Sequence, residues 1–199
     1  MENFGTLYVV SAPSGAGKTS LIRALVAKDA KVLVSVSHTT RLPRPGEQNG
    51  VHYHFINESV FGDMREKGTF LEYAKVFGNY YGTSREWVEE KIGAGLDVIL
   101  EIDWQGARQI RKQISSCVGI FILPPSLDAL VSRLHERRQD NHSVIANRMQ
   151  EAKSELAHFG EFDYLVVNNN FDVALADLCA ILRAERLARM RQERRNRSL

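Results

Sequence analysis

Cysteine is nearly missing from this sequence: Cys117 and Cys179 are the two among 199 residues, far apart and each in apolar surroundings. That scarcity speaks against a disulfide framework or a thiolate metal site, and it predicts two reduced, buried thiols in a reducing compartment. No apolar run approaches the roughly 18 residues of a membrane span, so a transmembrane helix is not expected. The opening MENFGTLYVV reaches its first apolar run without a basic leader or a small-residue cleavage site, and a cytoplasmic location is expected. Internal repeats and low-complexity segments are lacking too. His52 and His54 share one face of a short strand candidate, but no Cys or His has ligand spacing with them. Packing among neighbouring aromatics is the expected role there, not metal binding.

What remains is an ordinary globular composition, 44% hydrophobic and 25% charged, at a length that suits about one domain with a sizeable core. The formal charge of +2 is unevenly spread. Residues 183–199 hold seven Arg against two Glu, leaving 19 basic and 22 acidic residues elsewhere. Nucleic-acid binding wants a basic face on the folded body with a recognisable motif, and neither is visible. RAERLARMRQERRNR therefore reads as a terminal helix with a solvated cationic end.

Short apolar runs alternate with helical spacing. TLYVVSA (6–12), KVLVSVS (31–37), DVILEID (97–103), VGIFILP (118–124) and YLVVNN (164–169) are continuously apolar, as strands buried on both faces are. KTSLIRALVAK, QGARQIRKQIS, SLDALVSRLHERR, SVIANRMQEAKSELAHF and FDVALADLCAILRAERLARM carry helical periodicity. The predicted fold is α/β, a parallel sheet with helices on both faces. Two segments depart from the pattern: 38–83, rich in Pro, Gly and aromatics, with VHYHFI and FLEYAKVF as short strand candidates, and the almost wholly polar 135–148. In an α/β enzyme such inserts often become substrate-binding or lid pieces.

TLYVVSA running into PSGAGKTSLIRALV is the strand, loop and helix context that a phosphate-binding loop requires. Gly15 and Gly17 can adopt the positive dihedrals that turn successive amides inward, and the helix starting near Lys18 adds its positive dipole end. Lys18 can reach the β and γ phosphates of ATP, and Thr19, or Ser20 beside it, can offer a hydroxyl to Mg²⁺. The motif GxxxxGK[ST] wants glycine where this chain has Ala12, but Ala12 stands at the strand-to-loop junction, away from the glycine pair. The loop Ala12, Pro13, Ser14, Gly15, Ala16, Gly17, Lys18 and Thr19 is accordingly expected to bind ATP.

In SHTTRLPRPGE, Arg41 and Arg44 lie three apart beside two prolines. In a polyproline-like stretch residues three apart emerge on one side, about 9 Å apart, so both guanidinium forks can converge on one phosphate. A solvated basic loop is the competing reading. SGAGKT, SHTTRLPRPGE, HYHF, FLEYAKVFGNYYGTS, LEIDWQGA and the late VNN, in this order and spacing, closely resemble guanylate kinase, the bacterial type most, over about residues 4–185.

That resemblance implies a five-stranded parallel core with a GMP-binding insert at 38–84, a helical lid at 134–150 and a basic tail from 186. It implies an ATP:GMP phosphotransferase acting also on dGMP, serving purine nucleotide metabolism and GMP recycling, with Mg²⁺ accompanying ATP. By the same resemblance Arg41, Arg44, Tyr53 and Tyr81 hold the GMP phosphate, while Ser37, Glu72 and Thr83 read the guanine. Guanine offers two adjacent donors that one carboxylate can accept together, whereas adenine turns a lone pair toward it, so Glu72 would discriminate strongly. Glu101 and Asp103 end a strand at its carboxyl edge, where ligands bind in such sheets. They would orient Mg²⁺-bound water or the guanine amino group, with Glu101 assigned to GMP and Asp103, with Thr19, to the metal.

Arg133, Arg137 and Arg148 match the family's lid arginines, which close on ATP and, with Lys18 and Arg41, neutralise charge during transfer. The family's Gly-Arg-Gly is replaced here by Glu136-Arg137-Arg138. Asn168 matches a residue near the ATP adenine, and Asn169 and Asn170 replace an acidic pair. The attacking phosphate oxygen is largely ionised at neutral pH, its second pKa lying near 6, so no general base is required. Two other readings remain open: a related phosphate-loop kinase acting on a ribosyl bisphosphate, and a peptide-binding module that has lost catalysis. Self-association is also left open.

Overall fold

The computed structural model describes residues 5–76, 78–136, 150 and 152–195, with side chains left out at 134–136, 190 and 194–195. At its centre strand β1 (Leu7–Ser11) is buried at every position. Its alternating side chains serve two cores. Tyr8 and Val10 face one cluster with Leu21, Ile22, Leu25 and Leu178, while Leu7 and Val9 face another with Val88, Val98, Leu100 and Ile110. Two apolar faces explain why the sequence reads as continuous apolarity and not as alternation.

β1 pairs in parallel with β7 (Asp97–Glu101) on one side and β8 (Val118–Leu123) on the other; β2 (Val32–Val34) and β9 (Tyr164–Val167) complete the order β2-β7-β1-β8-β9. All five predicted strands are present, and the fold is the expected α/β class. Helices α1 (Lys18–Lys28) and α6 (Phe171–Leu187) cover one face, α3 (Arg85–Gly93) and α4 (Trp104–Gln113) the other. Helix α5 (Leu127–Glu136) follows β8. The helix expected over 143–159 lies partly outside the described residues; of those described, 150 and 152–156 are helical.

Residues 38–84 build a second, four-stranded mixed sheet in the order β4-β3-β6-β5, from β3 (His38–Thr39), β4 (His54–Phe55), β5 (Phe70–Val76) and β6 (Asn79–Ser84). Helix α2 (Glu58–Glu66), capped by the Asn57 side chain, lays Phe61 against Phe70 and Tyr80. Neither α2 nor α3 was expected. Each buries a single side chain, Phe61 or Val88, so the apolar period that announces a helix is weak in both. The His38 and His54 rings stack at 4.6 Å, which gives His54 a packing role, and His52 Nδ1 accepts the Gln48 amide. Among the described residues no cluster of three or more His, Cys, Asp or Glu side chains could hold a metal. Cys117 is buried, Cys179 half-buried, and both are free thiols.

The C-terminal helix ends at Leu187 and resumes as α7 (Arg189–Arg195). Arg186 donates to Asp97 at 2.7 Å and to Asp29 at 2.5 Å, and Arg191 lies 3.9 Å from Asp97. The start of the arginine-rich segment is thereby fastened to the amino ends of β7 and β2. No described helix is long and apolar enough to cross a membrane.

Candidate active site

The loop after β1 turns on two glycines, Gly15 at φ 93° and Gly17 at φ 92°, backbone states that a side chain makes costly. Gly17 is the N-cap of α1, and Lys18 is its first residue. The amides at this end have no intrahelical partner and present the positive end of the helix dipole. Ala12 answers for its missing glycine. Its methyl is 7% exposed within the core that packs on α1, a place where a side chain adds contact and blocks nothing.

β1 and β7 are neighbours with Val10 opposite Glu101, so the carboxylate ending β7 stands beside the loop. The Thr19 hydroxyl donates to Glu101 Oε2 at 3.1 Å. Asp103, assigned to the metal from the sequence, caps α4: its Oδ1 accepts the Gly106 amide at 3.0 Å and its Oδ2 the Gln105 amide group at 3.0 Å. Thr19 thus has Glu101, the residue assigned to guanine, as its described carboxylate neighbour. Ser14 N–H donates to Glu155 at 3.2 Å.

On the second sheet, β5 and β6 slip register between Phe70 and Glu72, and the bulge leaves Phe70, Leu71 and Glu72 all buried. Glu72 lies opposite Thr83, whose hydroxyl donates to Oε1 at 2.6 Å. The other oxygen rests against Gly106, where a Cβ would sit 2.7 Å from Oε2. Burial pushes the Glu72 carboxyl up to about 7, with the charge of Asp103 adding to it and the Thr83 hydrogen bond opposing it. An ionisable acid that is 3% exposed, hydrogen-bonded to Thr83 and raised further by the charge of Asp103 still has acceptor capacity left.

Arg41 sits 5.3 Å from the Tyr53 ring centroid, and the rings of Tyr53 and Tyr81 are 5.9 Å apart. Its Nη2 donates to both oxygens of Glu47, at 2.8 and 2.9 Å, and the Arg44 amide donates to Glu47 at 2.7 Å. This pairing raises the Arg41 pKa and lowers that of Glu47. Arg41, Tyr53 and Tyr81 are therefore brought together, with Arg41 neutralised by an anion that the chain itself supplies, while the Arg44 side chain is exposed. Sequence reasoning missed Glu47, although it closes the quoted SHTTRLPRPGE and stands three residues beyond Arg44. Ser37 contributes its carbonyl to the His54 amide and is half-buried at the start of β3.

Arg133 on α5 donates to the Asn168 carbonyl at 3.1 Å, and the Asn168 side chain donates to the Ala16 carbonyl at 2.8 Å. Arg137 and Arg148 lie outside the described residues.

A glycine-built anion loop, a nearby hydroxyl–carboxylate pair and a buried carboxylate on an inserted sheet form a distinctive set. The Guanylate kinase family model matches residues 5–185. The chain belongs to the guanylate kinase family. A guanylate kinase of Vibrio vulnificus is 60% identical over 190 residues, covering 94% of this chain and 92% of its own. That of Nitrosococcus oceani is 56% identical over 195 residues, covering 98% and 96%. The crystal structure of guanylate kinase from Anaplasma phagocytophilum superposes with a TM-score of 0.78 at 32% identity, covering 96% of this chain and 91% of that one. Family membership makes this chain a kinase, an enzyme that transfers a phosphoryl group.

Proposed function

We propose that the chain transfers the γ-phosphoryl of ATP to GMP, and to dGMP, giving ADP and GDP in purine nucleotide metabolism and GMP recycling in the cytoplasm. The observation that carries this is the Glu72–Thr83 pair, a buried carboxylate, 3% exposed, that accepts a hydroxyl at 2.6 Å and has acceptor capacity left over. It suits the two adjacent donors of guanine and would face a lone pair in adenine. In this reading one domain spans 4–185, with 38–84 as the GMP-binding insert, 134–150 as the lid and 186–199 as a basic tail. Arg41, Arg44, Tyr53 and Tyr81 receive the GMP phosphate, with Ser37 and Glu101 completing the acceptor site.

The donor phosphates lie in the loop 12–19 on the amides of Gly15, Gly17, Lys18 and Thr19, the Ser14 and Ala16 amides being held by Glu155 and Pro13, and Lys18 meets the β and γ phosphates. Thr19 and the carboxylates of Glu101 and Asp103 are hard oxygen donors of the kind Mg²⁺ prefers, and the 3.1 Å contact between Thr19 and Glu101 supports that fit. When bound, the cation neutralises charge on the phosphate oxygens. The chain's own task is alignment. It holds an already ionised acceptor oxygen in line with the γ-phosphorus and keeps water away while Lys18, Arg41 and the lid arginines Arg133, Arg137 and Arg148 balance the charge. A coupled ADP-release assay across GMP, dGMP, AMP and ribose phosphates tests the reading. GMP and dGMP should dominate, and equal turnover with AMP or a ribose phosphate would reject it.

A further inference from the structure

We propose that Asn168 is a positioning residue of the donor site: its side-chain amide fixes the orientation of the Ala16–Gly17 peptide in the phosphate loop. Asn168 is itself firmly placed. It follows β9, its N–H donates to the Leu123 carbonyl at the end of β8 at 2.8 Å, and it is 6% exposed. From there Nδ2 donates to the Ala16 carbonyl at 2.8 Å. Its amide also lies flush against Gly17, so closely that a Cβ on Gly17 would collide with Nδ2.

Across a trans peptide the carbonyl and the following N–H point in opposite directions. Tethering the Ala16 carbonyl to Asn168 therefore turns the Gly17 N–H away from Asn168, toward the hollow of the loop where an anion would sit. Untethered, a peptide flanked by a glycine at φ 92° can rotate at little cost, and that donor is lost to the phosphate. The Asn168 carbonyl, in turn, accepts Arg133 from α5 at 3.1 Å. One residue thus joins the loop and the helix that leads into residues 137–149. One N–H of its side-chain amide is committed to the loop, and through that bond its effect on ATP would run by way of the polyphosphate and not the base.

This inference rests on the donor-site reading above, and its test separates the two. Calorimetric titration with Mg²⁺-ATP and with Mg²⁺-tripolyphosphate, which has no base, would be run on the parent, Lys18→Ala, Asn168→Ala and Asn168→Asp. Asn168→Asp keeps the shape but aims an acceptor at the Ala16 carbonyl. Both Asn168 variants should weaken ATP and tripolyphosphate by the same factor, about tenfold or more for a lost buried hydrogen bond, with GMP affinity close to the parent's and Tm lowered by a few degrees only. A loss confined to ATP would make Asn168 a base contact and overturn the proposal, as would unchanged affinity for both ligands or an equal loss of GMP affinity. Full tripolyphosphate binding by Lys18→Ala would overturn the donor-site reading, and this proposal with it.

Discussion

The donor loop is made of main chain, with two left-handed glycines and a helix start pointing amides at an anion. The proposed acceptor site is made of side chains, gathered from the loop after β3, the segment before β4, and strands β5 and β6. A main-chain cradle tolerates almost any residue that leaves its dihedrals alone, as Ala12 and Ala16 do. A side-chain cradle needs each member, and each member needs support: Thr83 and Gly106 for Glu72, Glu47 for Arg41. In the function proposed above, the first would bind charge without regard to the base attached, and the second would supply the choice of base.

The sharpest way to break this division is Lys18→Ala. Turnover should drop at least about a hundredfold, as when one donor to a developing charge is removed, while calorimetry finds GMP affinity within a few-fold of the parent. Unchanged ADP release would remove the loop from the reaction. Glu72→Gln should be the mirror image, lowering kcat/KM for GMP by about tenfold to a hundredfold through an unpaired buried group and leaving the KM for ATP unmoved. Equal losses for GMP and AMP would show that Glu72 does not read the base.

Glu72 also sets a pH dependence. Its folded pKa of about 7 stands above the ordinary 4.5, so the folded state holds this proton more tightly than the unfolded chain. The cost of ionising it is absent below pH 4.5, grows as pH rises toward 7 and is complete above. Glu72→Gln should then be the more stable protein at pH 8, by up to about 3 kcal/mol, and equal Tm values at pH 8 would contradict the burial argument. Guanine needs the ionised form, so kcat/KM for GMP should fall by about tenfold per unit below pH 7 from this group alone. The parent's profile divided by that of Glu72→Gln isolates this share from the titration of the GMP phosphate, and a flat ratio would refute it.

Gly106→Ala should raise the KM for GMP by roughly tenfold, because small misplacements of positioned groups are costly, without touching ATP. An unchanged GMP KM would mean that Glu72 yields freely. The smallest effect belongs to Ala12→Gly. Restoring the motif's glycine should cost about 1 kcal/mol in stability and leave activity within twofold; a clear gain in ATP affinity would show that the methyl obstructs the loop.

The same contrast governs what could be read from the sequence. The donor loop was legible because its function lies in dihedrals, and Gly15 and Gly17 advertise dihedrals directly. The five core strands were legible because burial on both faces leaves unbroken apolar runs. Acceptor residues became visible only through a family resemblance, since their meaning depends on a fold that brings Thr83 opposite Glu72 across a register slip. Gly106 had no local signal, for its need arises from a carboxylate thirty-four positions away. Helices α2 and α3 hid behind weak apolar patterns, yet Asn57 and Ser84, which cap them, were signals that a search for helix starts would have caught. Ala188, where the last helix breaks, carries no breaker chemistry; the break coincides with Gln192 donating to the Arg186 carbonyl.

Arg186 and Arg191 both lean on Asp97, a carboxylate 4% exposed that also receives the Thr6 amide at 2.7 Å. A polyanion that engaged Arg186 and Arg191 would have to pull these two guanidinium groups away and strand that acid inside the protein. Residues 186–191 are thus tethered at the rim of the sheet opposite the glycine loop, where trimming the chain back past residue 186 would loosen the opening strand of the fold before it touched the chemistry.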